Sequence, residues 1–292
     1  MIIIANPIYD EAFKFLMADI KAATSFLTAL LGEDIEILEL LPQERSVILQ
    51  SVPQLSVVRF DYCATLNIKG ERKKVLIELQ KSKNNLDIGR FRRYLGTNYS
   101  NTDRLQGKQD ILPIIAIYIF GFNMAGVEPA VTCFHPTGKN VLEGIPFQPG
   151  RDEMLELLTH TSYFVQLPKL PTKSKNRVGR VLSVFSQNWI HDSDKRKLSL
   201  PEELKDDPEL RPLVDRLERA FLDDDTRRKI TEEEAFEDTM KSELEEAEAK
   251  GEVNGAHKKA IDTARKLKIR GLSSQDISEI TELSESEIEA LG

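Results

Sequence analysis

The chain has 292 residues, of which 40% are hydrophobic and 30% are charged. This composition excludes a wholly disordered protein and allows one large core with a smaller appendage. The formal net charge is −8, but residues 1–200 contain 25 lysines and arginines against 21 acids, whereas residues 201–292 contain 15 against 27. The acidic total therefore does not exclude a nucleic-acid partner for the N-terminal part.

The cysteines, the histidines and the first residues exclude several classes of protein. Cys63 and Cys133 are too few for a disulfide framework, and we expect both thiols to be buried and reduced. The histidines show no zinc-ligand spacing. The apolar run at residues 1–4 is too short for a signal peptide. We therefore expect a cytoplasmic protein without a membrane partner.

An apolar helix is predicted to begin near Asp10. Asp10 and Lys14 are four residues apart and so share one helix face, where an ordinary ion pair would explain them. The apolar positions of this helix are Phe13, Leu16, Ile20, Ala23, Leu27 and Leu30.

A β-hairpin is predicted next, over residues 57–68 and 73–80, because both stretches are rich in β-branched and apolar residues. With Gly70 and Glu71 as the two-residue loop of a type II′ turn, Asp61 lies opposite Gln80. Opposite residues share a sheet face, and so do residues two apart. Asp61, Glu78 and Gln80 are then expected on one side of the hairpin.

Such a grouping of acids is typical of a metal site. Two nearby carboxylates repel each other unless a proton or a cation lies between them. Mg²⁺ prefers oxygen ligands, so Asp61, Glu78 and a phosphate oxygen could hold it, with Mn²⁺ or Ca²⁺ as alternatives. The other interpretation is a solvated face with ordinary charges. Against it, Glu78 and Gln80 interrupt the apolar stretch 75–79, which indicates a central strand.

Cationic residues follow this hairpin and are candidates for contact with DNA phosphates. Each could equally be an exposed residue near the N-terminus of a helix that only increases solubility. Arg90 and Tyr94 are four apart and share a helix face, from which they could brace the site or contact the DNA backbone. The cations are Lys81, Lys83, Arg90, Arg92 and Arg93.

Two further core elements are predicted downstream. Residues 111–127 are apolar but contain Pro113, Gly121 and Asn123, so they are read as a buried strand followed by a loop and not as a membrane span. Residues 178–189 are predicted to form a helix that packs on the core.

The C-terminal part is predicted to be helical throughout. Residues 232–248 have a charged helical pattern with few apolar anchors and are read as a connecting helix. A helix over about 256–269 ends at Gly271, and serines at 273 or 274 and at 284 cap two short helices. This arrangement is similar to a helix-turn-helix, but acidic residues on its last two helices disfavour insertion into DNA. A dimerisation or protein-binding role is favoured, and a folded cap is the alternative.

Several of these motifs resemble the PD-(D/E)XK nuclease family transposases, also called recombination-promoting nucleases (Rpn). The resemblance covers nearly the whole chain. The matching segments and positions are 10–16, Asp61, 77–80, Arg90, Tyr94, Tyr99, 112–117, 167–170, 250–252 and 271–277.

The resemblance implies an α/β fold with a restriction-endonuclease-like core, a mixed central sheet flanked by helices, and an acidic all-helical C-terminal extension. It implies a Mg²⁺-dependent DNA endonuclease linked to transposition, recombination or defence against mobile elements. By carry-over, Asp61 and Glu78 are metal ligands, Gln80 replaces the usual lysine of the superfamily, and Asp10 with Lys14 is a secondary candidate. The alternative is a weak or inactive nuclease fold that binds DNA or a protein.

The expected organisation has three parts. Residues 1–200 form the nuclease-like domain, 201–250 an acidic connecting segment, and 251–292 a small helical region through which the chain could form a homo-oligomer.

Overall fold

The computed structural model describes residues 1–41, 44–47, 56–59, 62–83, 88–100, 103–105, 108–147, 152–190 and 194–291. They form two compact units, Met1–Thr231 and Glu232–Gly292. This boundary differs from the sequence-based divisions at residues 200 and 250. The reason is that Leu210, Leu213 and Leu217 lie in the core of the first unit.

The first unit contains most of the helices and all the described strands. The helices are α1 (Asp10–Met17), α2 (Ile20–Leu31), α3 (Ile88–Ser100), α4 (Glu153–Leu158), α5 (Arg177–Leu182), α6 (Arg211–Leu222) and the beginning of α7 (Asp224–Ile269). The strands are β1 (Ile2–Ala5), β2 (Ile35–Leu40), β3 (Glu44–Val47), β4 (Ser56–Arg59), β5 (Tyr62–Ile68), β6 (Glu71–Gln80), β7 (Asp103–Leu105), β8 (Lys108–Asp110), β9 (Ile114–Phe120), β10 (Val131–Phe134), β11 (Gly138–Asn140), β12 (Ile145–Phe147), β13 (His160–Gln166) and β14 (Lys197–Leu200).

A mixed six-stranded sheet in the order β10-β13-β9-β6-β5-β2 forms the centre of this unit. Strands β6, β9 and β13 run parallel to one another, and the other neighbours are antiparallel. The predicted α/β class and the central position of the strand that carries Glu78 are therefore confirmed. The buried strand predicted within 111–127 is β9.

The sheet is covered on both faces, which explains the nearly continuous apolar sequence of its central strands. On one face, Val75, Ile77 and Leu79 pack into the large core together with residues of α1, α2, α5 and α6. On the other face, a small cluster around Leu76 packs against α3 through Leu95. Alternate residues of β6 thus belong to two different layers.

The predicted hairpin forms, but its loop is one residue earlier than expected. Lys69 and Gly70 are the loop residues, with φ angles of 52° and 87°, and Ile68 pairs with Glu71. Positive φ at both central residues is the pattern of a type I′ turn, so the predicted type II′ turn with Glu71 in the loop was wrong. Tyr62 therefore pairs with Ile77, two residues from the predicted register.

We expect Gly70→Ala to lower the free energy of unfolding by about 1–2 kcal/mol, because an L side chain strains a left-handed residue. Gly96→Ala, within α3, is the matched control. Neither position has an atom within 4 Å of an added Cβ, and only Gly70 has positive φ. The control should gain up to about 1 kcal/mol. Urea unfolding monitored by fluorescence of Trp189, the single tryptophan, measures both. Equal effects of the two changes would contradict the assigned turn.

The predicted N-terminal helix is divided in two. α1 ends at Met17, and Asp19 caps α2 by accepting a hydrogen bond from the backbone N–H of Ala22 at 3.0 Å. An N-cap aspartate favours a new helix start. The division leaves Ile20, one of the apolar positions of the predicted helix, 55% exposed.

The predicted helix at 178–189 is also shorter than expected. α5 covers Arg177–Leu182, and two short 3-10 segments, Ser183–Phe185 and Gln187–Trp189, complete the stretch. The indole N–H of Trp189 donates to the carbonyl of Ser183 at 2.7 Å. The segment nevertheless packs on the core as predicted, through Val184 and Phe185.

The second unit, Glu232–Gly292, consists of the rest of α7 with α8 (Ser274–Thr281) and α9 (Glu285–Ala290). Gly271 has φ 84°, and Ser273 and Ser284 cap α8 and α9, the latter with a full capping box. The predicted caps and the two short helices are therefore confirmed, but the connecting helix predicted at 232–248 and the helix predicted at 256–269 are one continuous helix, α7. A small apolar core centred on Ala264 and Ile277 holds the three helices together.

Two remaining expectations concern the membrane and the thiols. None of the helices in the described ranges combines the length and apolar composition that a bilayer span requires. Cys63 is buried as predicted, but Cys133 is exposed. Cys133 lies on β10, which is an edge strand of the sheet among the described residues, and the prediction of a buried thiol was wrong there.

Candidate functional site

Glu78 and Gln80 lie side by side near the end of the central strand β6. They are 6% and 7% exposed. Ile77 and Leu79, between and beside them, belong to the large core on the opposite face. Side-chain alternation along the strand therefore places both polar residues on one face, as the sequence predicts, and this face is the one turned toward α3.

Arg90 of α3 joins these two side chains. Its Nη2 donates to Oε1 of Glu78 at 2.8 Å and to Oε1 of Gln80 at 3.1 Å. The amide nitrogen of Gln80 donates to the carbonyl of Ser82 at 2.9 Å. Burying a carboxylate is costly unless a hydrogen-bonded cation accompanies it. Arg90 supplies that cation from the first turn of the helix.

Lys74 lies on the same face of β6 and was not among the predicted site residues. It is 1% exposed, and its Nζ donates to Oδ1 of Asn98 at 3.4 Å. Asn98 in turn donates to the carbonyl of Tyr94 at 3.0 Å. The sequence could have indicated this position, because Lys74 and Glu78 are an even number of residues apart and therefore share a face of the strand. Buried polar residues thus lie on both sides of Leu76 along this face of β6.

The beginning of α1 lies beside the end of β6. Lys81, which follows Gln80, places its Nζ 3.5 Å from the ring centroid of Tyr9, the residue before Asp10. Asp10 and Lys14 form the predicted ion pair within α1. Their role as secondary site residues stays a prediction.

The remaining predicted residues differ in their placement. Asp61 lies outside the described residues, so its pairing with Glu78 stays a prediction. Lys83, Arg92 and Arg93 are exposed. Tyr94 is half-buried and packs against the cluster around Leu76.

Tyr118 of β9 stands directly next to Glu78, in parallel register. Burial raises the pKa of the Tyr118 hydroxyl above its usual value, and the negative charge of Glu78 and the neighbouring Tyr99 raise it further. The phenol therefore stays protonated at neutral pH, as a neutral group at the margin of the site.

Glu78 and Gln80 together offer oxygen donors of the kind that hard divalent cations bind. Within the described ranges, no cluster of three or more histidine, cysteine, aspartate or glutamate side chains has the arrangement of a metal site. Oxygen donors of this kind suit Mg²⁺, Mn²⁺ or Ca²⁺, and Asp61, the other predicted ligand, lies outside the described residues, so the metal site stays a prediction.

Comparison of the chain with known proteins found no matching family model, no matching curated protein and no matching solved structure.

Proposed function

We propose that this chain is a divalent-metal-dependent DNA endonuclease with a restriction-endonuclease-like core, acting in transposition, recombination or defence against mobile DNA. The observation that carries the proposal is the buried carboxylate of Glu78 on a central strand, with Gln80 beside it and Arg90 bonded to both. A solvated surface acid would not be 6% exposed, so the ordinary explanation for acids in a hairpin does not apply to Glu78.

Each side chain has a role in this proposal. Glu78 and Asp61 would hold the cation, which when bound activates a water and offsets the charge that develops on the leaving oxygen. Gln80 would position the water through its carbonyl oxygen, because an amide cannot act as a base. Arg90, Lys81 and the exposed Arg93 would bind phosphates of the DNA backbone.

A second function is favoured by one specific observation. Arg90 already balances the charge of Glu78 through a 2.8 Å contact, and an internal ion pair of this kind can be purely structural. The protein would then be a weak or inactive nuclease fold that binds DNA or a protein partner.

Cleavage of supercoiled plasmid with Mg²⁺, Mn²⁺, Ca²⁺ or EDTA tests the proposal. We expect nicking and linearisation with a divalent metal, none with EDTA, and loss of cleavage in Asp61→Ala. The metal should also raise the melting temperature of the wild type and not that of Asp61→Ala, because a ligand that binds only the folded state stabilises it. The absence of cleavage and of any melting shift with every metal would refute the enzyme and favour the binding protein.

A further inference from the structure

Aromatic rings form a row across the sheet, on the same face as Glu78. The row begins at Phe91 of α3, which is 5.8 Å from the ring of Tyr118. Tyr118 stacks on Phe164 of β13 at 5.1 Å with an interplanar angle of 23°. Phe164 then contacts Phe134 of β10 edge to face at 5.5 Å. The row thus runs from the neighbour of Glu78 to the edge strand.

The outer end of this row is open to solvent. Phe134 is 57% exposed, whereas Phe91 and Tyr118, at the inner end of the row, are half-buried. The path from β6 to β10 crosses three strand spacings, about 14 Å. Packing against the core does not explain this row fully, because its inner end is half-buried and Phe134 lies in water.

Positively charged residues of α3 lie next to this row of rings. α3, which covers the inner end of the row, contains Arg90, Arg92 and Arg93 and no acidic residue. The guanidinium of Arg90 lies 5.5 Å from the centroid of Phe91. Rings for the faces of bases, next to arginines for phosphates, are the combination that binds single-stranded nucleic acid, and sheet-borne aromatic rings stack on unpaired bases in a common RNA-binding module.

We infer that Phe134, at the exposed end of the row Phe91–Tyr118–Phe164–Phe134, here termed the aromatic row, stacks on an unpaired base of a DNA strand, and that this strand follows the aromatic row to Glu78. This inference rests on the proposed nuclease function and specifies its substrate as DNA with a single-stranded segment. A paired duplex hides the faces of its bases in the stack, so it cannot use the aromatic row.

Binding of fluorescently labelled oligonucleotides in EDTA tests the inference without cleavage. We expect a single DNA strand to bind more tightly than the duplex of the same sequence. Phe134→Ala should weaken single-strand binding about fivefold or more, as expected for a lost stacking contact. Phe134→Trp, which keeps a ring, should bind as the wild type does. Phe147→Ala is the matched control, because Phe147 is 51% exposed on a separate hairpin, and it should leave affinity unchanged.

Three results would overturn the inference. In the first, Phe134→Ala binds the single DNA strand as tightly as the wild type does. In the second, the wild type binds the duplex as tightly as the single strand. In the third, it binds the corresponding RNA strand more tightly than the DNA strand. The assay also separates this inference from the nuclease proposal. Intact Phe134-dependent binding, with neither cleavage nor a melting shift in any metal, would refute the nuclease alone. Metal-dependent cleavage without Phe134-dependent binding would refute the aromatic row alone.

Discussion

Glu78→Gln is expected to lower metal-dependent DNA cleavage about a thousandfold, the size of effect found when one group that stabilises transition-state charge is removed. The change replaces a carboxylate with an amide of nearly the same shape. Arg90 can still donate to the Oε1 of the new side chain, so the contact that holds α3 against β6 is kept. The loss should therefore come from the missing negative charge and not from unfolding.

Rates of plasmid nicking, measured at saturating Mg²⁺ and Mn²⁺, give the size of this effect. Glu36→Gln is the matched control, because Glu36 is an exposed glutamate on β2 of the same sheet. It removes the same charge without touching the site and should cleave at the wild-type rate. The melting temperature of Glu78→Gln without metal should stay near that of the wild type.

Two outcomes would count against the assigned role of Glu78. Wild-type cleavage by a folded Glu78→Gln would show that this carboxylate is not needed for the reaction. A large fall in melting temperature without metal would instead identify Glu78 as one half of a structural ion pair with Arg90, as the second candidate function requires.

The shared face of Glu78 and Gln80 was predictable because it depends only on the period of a strand. The loop of the hairpin was assigned one residue too late, and this moved the pairing register by two residues. A shift of two keeps every side chain on its face, whereas a shift of one would have turned Glu78 into the large core. The predicted shared face of Glu78 and Gln80 is therefore correct although the predicted turn type was wrong.

The contact of Arg90 with Glu78 could not be derived in the same way. Spacing on a helix predicts which residues accompany Arg90, such as Tyr94, but not where α3 crosses the sheet. That crossing depends on tertiary packing. The aromatic row is similar, because Phe164 meets Tyr118 only through the parallel pairing of β13 with β9, and strand order is not encoded in any local pattern.

At the N-terminus, the N-cap residue Asp19 determines where a helix begins, although the apolar periodicity predicts no break there. The apolar spacing from Phe13 to Leu30 fits one continuous helix, yet Asp19 offers its carboxylate to the backbone of a second helix. In the C-terminal unit, periodicity and caps agree for the two short helices, which were predicted correctly, whereas the helices predicted separately at 232–248 and 256–269 are one continuous helix. Agreement between independent local signals is thus what made a segment predictable.

The backbone at the end of β6 is constrained by Gly121, and Gly121→Ala is expected to destabilise the first unit by about 3 kcal/mol. An added Cβ would lie 2.3 Å from the carbonyl oxygen of Lys81 and 2.7 Å from Cδ1 of Ile8. The backbone oxygen cannot rotate away. The N–H of Gly121 also donates to the carbonyl of Gln80 at 2.9 Å, so relief of the clash must move the strand end that carries Gln80.

Trp189 fluorescence during urea unfolding measures the loss of stability, and the melting temperature should fall by roughly 6–12 °C for a unit of this size. Gly96→Ala again serves as the control. Adding Ile8→Val to Gly121→Ala removes Cδ1 and should restore only part of the stability, because the contact with the Lys81 carbonyl remains. Full restoration would show that the side chain of Ile8, and not the backbone, sets the constraint.

Cleavage should fall along with stability, even at temperatures where Gly121→Ala is fully folded. A displacement of about 1 Å at a reacting group can cost roughly a hundredfold in rate, and Gln80 is one peptide unit from the clash. A folded Gly121→Ala protein that cleaves at the wild-type rate would show that the exact position of Gln80 does not matter for the reaction. It would leave Glu78 and Asp61 as the residues on which metal-dependent cleavage depends.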